Sequence, residues 1–320
     1  MTVVVAGGAG FVGSNLVARL LRDGSTVLAA DNFSRGRRKN LGGSLGHPNL
    51  AVMDCDLSVD HECAAAFDAA RGLGAIDEVW HLAANSDIAA GVADPSIDLR
   101  DTFLTTFEIL RQMRRMGAGR LFFASSSAIY GDLKDVELTE DIGPLFPISN
   151  YGAMKLASEA QATAAAESFL EQVVLFRFPN VVGVPATHGV MLDFIGRLRT
   201  TPDRLEVWGD GTQRKPYLHV DELVAALLIG RDRAKPGVTA LNVGPEDIGV
   251  TVRTIAEEVV ARVSPGATIT FGVGDKGWVG DVSQFRYSIS QMRYMGWRPA
   301  LSSHDAIRRA VDEIASQEGF

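Results

Sequence analysis

The chain opens on a short β-branched run, Thr2–Ala6, with the look of a strand buried on both faces. A glycine-rich turn follows. From Phe11 the apolar positions change to helical spacing, at Phe11, Val12, Leu16, Val17, Leu20 and Leu21, until Asp23-Gly24 stops the helix. The alternation then repeats. Further strands are expected at Thr26–Ala30 (ending on Asp31), Leu50–Met53, Ile76–Leu82, Leu121–Ala124 and Val173–Phe178. Helices are expected near Asp60–Arg71, Ser96–Met116 and Tyr151–Leu170. This rhythm predicts an α/β fold, a doubly wound parallel sheet with helices on both faces.

The second half is less regular. Val190–Leu198, Val220–Ile229 and Thr251–Val263 carry helical spacing, and Arg204–Trp208 and Ala240–Val243 read as strands. The stretches Pro179–Gly189, Gly209–Pro216 and Gly272–Asp281 are rich in Gly, Pro and charge and read as loops. A smaller C-terminal α/β substrate lobe is expected from these pieces. Its residues would be 179–216 and 246–320, beside a domain of residues 1–178 with a return segment near 217–245.

Composition narrows the function classes. With 46% hydrophobic and 22% charged residues over 320 positions, the chain can bury a large core and is not a disordered polymer. Cys55 and Cys63 are the only cysteines, so a disulfide scaffold is excluded and two reduced thiols are expected. A formal charge of −8 leaves no broad basic field, and no nucleic-acid partner is expected. No apolar stretch approaches the ~18 residues that span a bilayer. No basic leader precedes Gly7-Gly8. The expectation is a cytoplasmic protein without a membrane partner. The six histidines lack paired ligand spacing, so no metal is expected; His81, in an apolar strand, reads as a hydrogen-bonded core residue.

Candidate chemistry begins at Gly7-Gly8-Ala9-Gly10-Phe11-Val12-Gly13, between the first strand and the first helix. Glycine there lets the chain turn tightly and lets a pyrophosphate approach the backbone, while the helix start offers N–H groups to the anion. Asp31, at the end of the next strand, can accept hydrogen bonds from an adenosine ribose diol and would repel a 2′-phosphate. NAD is therefore expected over NADP. The basic run Arg35, Arg37, Arg38, Lys39 could embrace such a phosphate, but reads better as a solvated loop.

Tyr151-Gly152-Ala153-Met154-Lys155 places a phenol and an ammonium on one helix face, where the cation can help the phenol lose its proton. Ser125-Ser126-Ser127 follow a predicted strand at the edge where parallel sheets form their binding crevice. A serine hydroxyl and the phenol could meet there on one substrate oxygen.

Together these motifs resemble the extended short-chain dehydrogenase/reductase family, in its nucleotide-sugar epimerase/dehydratase group. The resemblance continues through Asp31-Asn32, Asp56-Leu57, His81-Leu82-Ala83-Ala84, Ser125–Gly131, Asn180, Trp208-Gly209-Asp210-Gly211, His219-Val220-Asp221 and Gly296-Trp297-Arg298-Pro299. Gly211–Lys215 and Gly277–Asp281 point to the archaeal-type UDP-glucose 4-epimerase branch. The resemblance implies a Rossmann-type sheet and NAD held by Gly7, Gly10, Phe11, Val12, Gly13, Asp31, Asn32, Asp56, Leu57, Ala83, Ala84, Tyr151 and Lys155. It implies Ser126, Tyr151 and Lys155 as catalytic residues. The sugar nucleotide, a UDP-hexose, would meet Ser126, Ser127, Asn180, Val207, Trp208, Arg214 and Lys215. It also implies a homodimer built on the 96–116 and 151–170 helices.

The implied reaction inverts C4 of a nucleotide hexose through a 4-keto sugar. A net 4-keto-sugar reductase is the alternative. Departures from the family pattern bear on the substrate. Ser127 and Ala128 stand where the 4,6-dehydratases carry an Asp-Glu pair, and Ala128 stands where the decarboxylating branch keeps an acid. Lys215 replaces a phosphate-clamping arginine, Thr102 stands at a common asparagine position, and Trp278 falls near a second phosphate arginine.

Overall fold

Val3, Val4 and Val5 are fully buried, as a strand covered on both faces requires. In the computed structural model, which describes residues 1–133, 136–274 and 286–320, this segment lies inside a seven-stranded sheet. Its strands are β1 (Thr2–Ala6), β2 (Thr26–Asp31), β3 (Leu50–Asp54), β4 (Ile76–His81), β5 (Arg120–Ser126), β6 (Gln172–Phe178) and β7 (Gly237–Asn242). They run in the order β7-β6-β5-β4-β1-β2-β3. Pairs β1–β2, β2–β3, β1–β4 and β4–β5 are parallel. The fold is thus the Rossmann-type α/β sheet anticipated above. The chain reverses its direction of growth beside β1, and ligands of such sheets bind at the strand ends there.

The flanking helices include α1 (Phe11–Arg22), α2 (Asp60–Leu73), α3 (Thr105–Met116) and α4 (Asn150–Ala166). β1 and α1 have the bounds that the hydrophobic pattern predicts, because each buries a pattern unbroken from end to end. Cys55, Cys63, Phe67, Ile109, Met113 and Phe123 pack in one core cluster of this sheet. Burial pushes both thiols up to about 12, which removes them as nucleophiles at neutral pH.

The helix expected over Ser96–Met116 is divided. Pro95–Asp98 is α-helical, Leu99–Leu104 forms a π-helical stretch, and α3 follows. Two threonines bond backward onto the backbone at this widening: Thr106 Oγ1 donates to the Thr102 carbonyl at 2.8 Å, and Thr105 Oγ1 to that of Arg100 at 3.2 Å. Apolar spacing does not register that local exchange of hydrogen bonds.

The chain divides into two compact units. The first is Met1–Gly131, Gly143–Arg177 and Ala226–Leu241; the second is Asp132–Ile142, Phe178–Ala225 and Asn242–Phe320. The return segment of the first unit is therefore shorter than the 217–245 read from sequence. β7 joins β6 in the large sheet, whereas Tyr217–His219 pairs with Asn180–Val182 in the second unit. That pairing also places a strand inside the expected loop 179–189.

In the second unit, helices Val190–Thr200, Val252–Val263 and Ser303–Gln317 pack through Phe194, Ile195, Leu198, Ile255, Val259, Ile307, Val311 and Ile314. Strands Arg204–Val207 and Thr268–Phe271 pair in parallel, and Arg214–Lys215 pairs with Val250–Thr251. Residues 277–281, one of the motifs behind the resemblance, lie outside the described residues.

Candidate active site

β1, β4 and β5 end along one edge of the large sheet, and each delivers a candidate residue set there. After β1 the chain turns at Gly7, whose φ of 76° favours glycine. A Cβ on Gly7 would lie 2.8 Å from the Ala83 nitrogen, and one on Gly13 would lie 2.0 Å from the Gly7 carbonyl oxygen. The turn thus packs backbone on backbone, bringing Ala83 (just past β4) against Gly7. Gly10 caps α1 without any side-chain acceptor, and the first turn carries no acid. The first-turn N–H groups, which have no intrahelical acceptor, are those that such a helix start can offer to an anion.

Asp31 ends β2 and is 7% exposed. Its Oδ2 accepts from the Ala9 N–H and its Oδ1 from the Phe33 N–H, both at 2.9 Å. Burial raises its carboxyl pKa, and backbone N–H bonds from Phe33, Ala9 and Gly10 act against that rise. Each oxygen keeps lone-pair capacity for a diol. Asn32 is exposed, its Oδ1 closing a local turn on Ser34 N–H. Asp56 accepts from Ser58 through both its backbone N–H and its hydroxyl, while the neighbouring Leu57 is buried. Of the basic run, Arg35 pairs with Asp87, and the Arg38 guanidinium sits 5.2 Å from the Phe33 ring centroid. Both cations are engaged at the surface, as a solvated loop would have them.

The three proposed reacting side chains come together in the first unit. Ser126 ends β5, where its hydroxyl accepts the Ala128 N–H at 3.2 Å and hydrogen-bonds the Tyr151 phenol. Tyr151 stands in the first turn of α4, which Ser149 caps. Lys155, one turn on, is 2% exposed. Its Nζ donates to the Ala124 carbonyl at 2.6 Å and lies 4.7 Å from the Phe123 ring centroid and 5.8 Å from that of Tyr151. Burial pushes the phenol up to about 12, with Asp98 adding to the rise and the Ser126 hydroxyl opposing it. Burial pulls the ammonium down to about 7, against Glu159 and Asp98. Of the two, the ammonium is the group brought near neutrality.

The chain matches the profile of the NAD-dependent epimerase/dehydratase family over residues 3–244. The chain belongs to that family. A UDP-glucose 4-epimerase of Corynebacterium glutamicum is 28% identical over 98% of this chain and 94% of its own length. The UDP-glucuronic acid decarboxylase 1 of Arabidopsis thaliana is 26% identical over 99% of this chain and 70% of its own. The crystal structure of a UDP-galactose 4-epimerase superposes over the full length of both chains with a TM-score of 0.85 at 33% identity.

As an epimerase/dehydratase family member the protein is an NAD-dependent enzyme, and its residues fit that cofactor. The turn at Gly7 and Gly13 has no room for a Cβ, the start of α1 is uncapped by any side chain, and Asp31 is poised for a ribose. Asp31→Ser should weaken NAD binding about tenfold, by losing a charge-assisted acceptor, and narrow the preference over NADP. Calorimetric titration with each dinucleotide checks this; unchanged NAD affinity would remove Asp31 from the ribose site.

The remaining candidate residues are placed as follows. Ser127 starts the 3₁₀ turn Ser127–Tyr130 after β5. In the second unit, Asn180 begins a strand and is exposed; Val207 is buried at the end of its strand. Trp208 is 73% exposed, with the Arg197 guanidinium stacked 4.6 Å from its ring centroid. Arg214 donates to the Gly249 carbonyl at 3.0 Å, and Lys215 lies beside it in the same short strand.

Sequence reasoning missed a buried set beside Lys155. Arg177, on β6, holds Glu159 through both carboxylate oxygens, at 3.0 and 2.7 Å, and donates to the Tyr130 hydroxyl at 3.0 Å. Glu159 stands four residues past Lys155 on α4, a spacing visible in sequence; its partner on β6 was not. His81 is the core histidine expected, fully buried with Nε2 2.9 Å from Thr106 Oγ1 and held well below its ordinary pKa by burial. Among the described residues no helix is long and apolar enough to cross a membrane.

Proposed function

We propose that the protein inverts C4 of a UDP-hexose of the UDP-glucose/UDP-galactose type, with NAD bound throughout. The observation that carries this reading is the contact of Ser126 with the Tyr151 phenol, one helical turn from buried Lys155, at the strand edge beside the glycine turn. NAD, when bound, would supply the hydride acceptor and donor for the sugar C4.

The chain's own residues do the rest. Tyr151 accepts the proton of the 4-hydroxyl and returns it to the same oxygen once the 4-keto sugar has presented its other face and C4 regains a hydride. Ser126 holds the same oxygen in place. Lys155, when charged, favours the phenolate form of Tyr151. Asn180, Val207, Trp208, Arg214 and Lys215 of the second unit hold the nucleotide, and Asn32, Asp56, Leu57, Ala83 and Ala84 line the dinucleotide.

Elimination or decarboxylation is disfavoured, since Ser127 and Ala128 supply no carboxyl group beside Ser126. The assembly that goes with this reading is a homodimer through the segments 96–116 and 151–170. Leu99, Leu104 and Phe107 stand exposed on the first of them, as such an interface needs.

The test is to purify the protein without added cofactor, measure co-purified NAD, and incubate with UDP-glucose, UDP-N-acetylglucosamine and UDP-glucuronate separately. Retained NAD and a 4-epimer formed without added dinucleotide are expected. Stoichiometric consumption of added NAD(P)H with a 4-keto sugar would favour the reductase instead.

A further inference from the structure

Asp98, the last residue of the helical turn Pro95–Asp98, is completely buried. Its Oδ1 accepts from Asn85 Nδ2 at 2.8 Å. Asn85 is itself locked: the same Nδ2 donates to the Asp87 carbonyl at 2.8 Å, its Oδ1 accepts the Asp87 N–H at 2.9 Å, and its own N–H donates to Thr102 Oγ1 at 3.2 Å. The other carboxyl oxygen, Oδ2, is sealed from solvent and has no hydrogen-bond partner among the described residues. It rests on Gly91, where a Cβ would lie 1.8 Å from it. The Gly91 carbonyl accepts from Asn150 Nδ2 at 2.9 Å, and Asn150 directly precedes Tyr151.

A sealed, half-satisfied carboxyl costs folding free energy, so its presence beside a reacting pair points to a role in that pair's chemistry. We infer that Asp98 is a positioning residue for the reaction proposed above: through Gly91 and Asn150 it seats the start of α4, and it supplies the fixed charge against which the Lys155–Tyr151 pair is balanced.

The surrounding charges single it out. Lys155 is faced by Glu159, Asp98 and the neutral His81; Tyr151 by Ser126 and Asp98. Glu159 is neutralised by Arg177. Asp98 itself faces Asp87, Asp101 and Lys155, and the two acids are paired to Arg35 and Arg100. Burial raises the Asp98 carboxyl's own pKa, with Asn85 and Lys155 opposing; as a carboxylate with Lys155 as the cation facing it, Asp98 raises the proton affinity of both members.

Asp98→Asn keeps the shape and the acceptor for Asn85 but removes the charge. Without a nearby negative charge both groups become more acidic. The limb of the kcat–pH profile that rises near pH 7 should move down by about one pH unit. Asp98→Ser should move it the same way. A limb that stays in place, however far kcat falls, would reduce Asp98 to a structural residue and overturn the inference.

The second readout needs no sugar. Absorbance titration at 295 nm of the NAD-bound protein, with the matching Tyr151→Phe protein subtracted, reports the Tyr151 phenol directly. Its midpoint should fall in Asp98→Asn, and coincident midpoints would overturn the inference. If the wild type leaves UDP-glucose unchanged, the proposed substrate fails while this titration still decides the role of Asp98.

Discussion

Replacing Tyr151 with phenylalanine is expected to lower turnover of UDP-glucose about a thousandfold while leaving NAD bound. The substitution removes one oxygen, the group proposed to exchange a proton with the sugar, and keeps the ring that packs beside Lys155. The Ser126 hydroxyl and the Lys155–Ala124 hydrogen bond remain. KM should change little, because the lost interaction matters most as the 4-hydroxyl gives up its proton. The checks are kcat from chromatographic separation of the epimers and NAD content after acid extraction. A loss under tenfold would assign the proton transfer to another group. Loss of NAD together with activity would instead make holding the cofactor, rather than proton transfer, the main role of the Tyr151 hydroxyl.

The largest effect on stability is expected at Arg177. Arg177→Met should destabilise the first unit by ~3–5 kcal/mol, since it leaves the Glu159 carboxylate buried without its two guanidinium bonds. The double variant Glu159→Leu/Arg177→Met should recover most of that loss, because no charge is then left uncompensated. Urea unfolding midpoints by circular dichroism check both. Equal destabilisation in the single and double variants would mean that packing of the arginine stem, rather than charge, sets the cost. The single variant also carries a chemical consequence. An uncompensated Glu159 one turn from Lys155 raises the ammonium's proton affinity, so the rising limb of the pH profile should move up, opposite to Asp98→Asn.

What was legible beforehand was local. The run from β1 through the glycine turn into α1 announces itself because strand, turn and helix each leave a periodicity or a steric requirement within about twenty residues. Asp31 is legible as the end of the next strand. A strand end offered Ser125, Ser126 and Ser127, a four-residue spacing offered Tyr151 and Lys155, and the family resemblance chose Ser126; the three side chains lie together in the first unit. Asp98 escaped notice because its meaning lies in burial against Gly91 and Asn85, which no spacing encodes. Arg177 and Glu159 lie eighteen residues apart on a strand and a helix, and only the crossing of those elements makes them a pair.

From the amino-acid order alone came the fold class, the glycine turn, the acid expected to favour NAD, and candidates for the reacting side chains. All of these depend on short-range sterics and hydrophobic period. Folding in three dimensions settled which strands share a sheet, where the helix over 95–116 widens into a π-turn, how the chain divides into two units, and which charges surround Lys155 and Tyr151. Those outcomes depend on distances between residues remote in the chain. Proton affinities in a dry interior are governed by such distances and by lost solvation, and neither is written in local sequence.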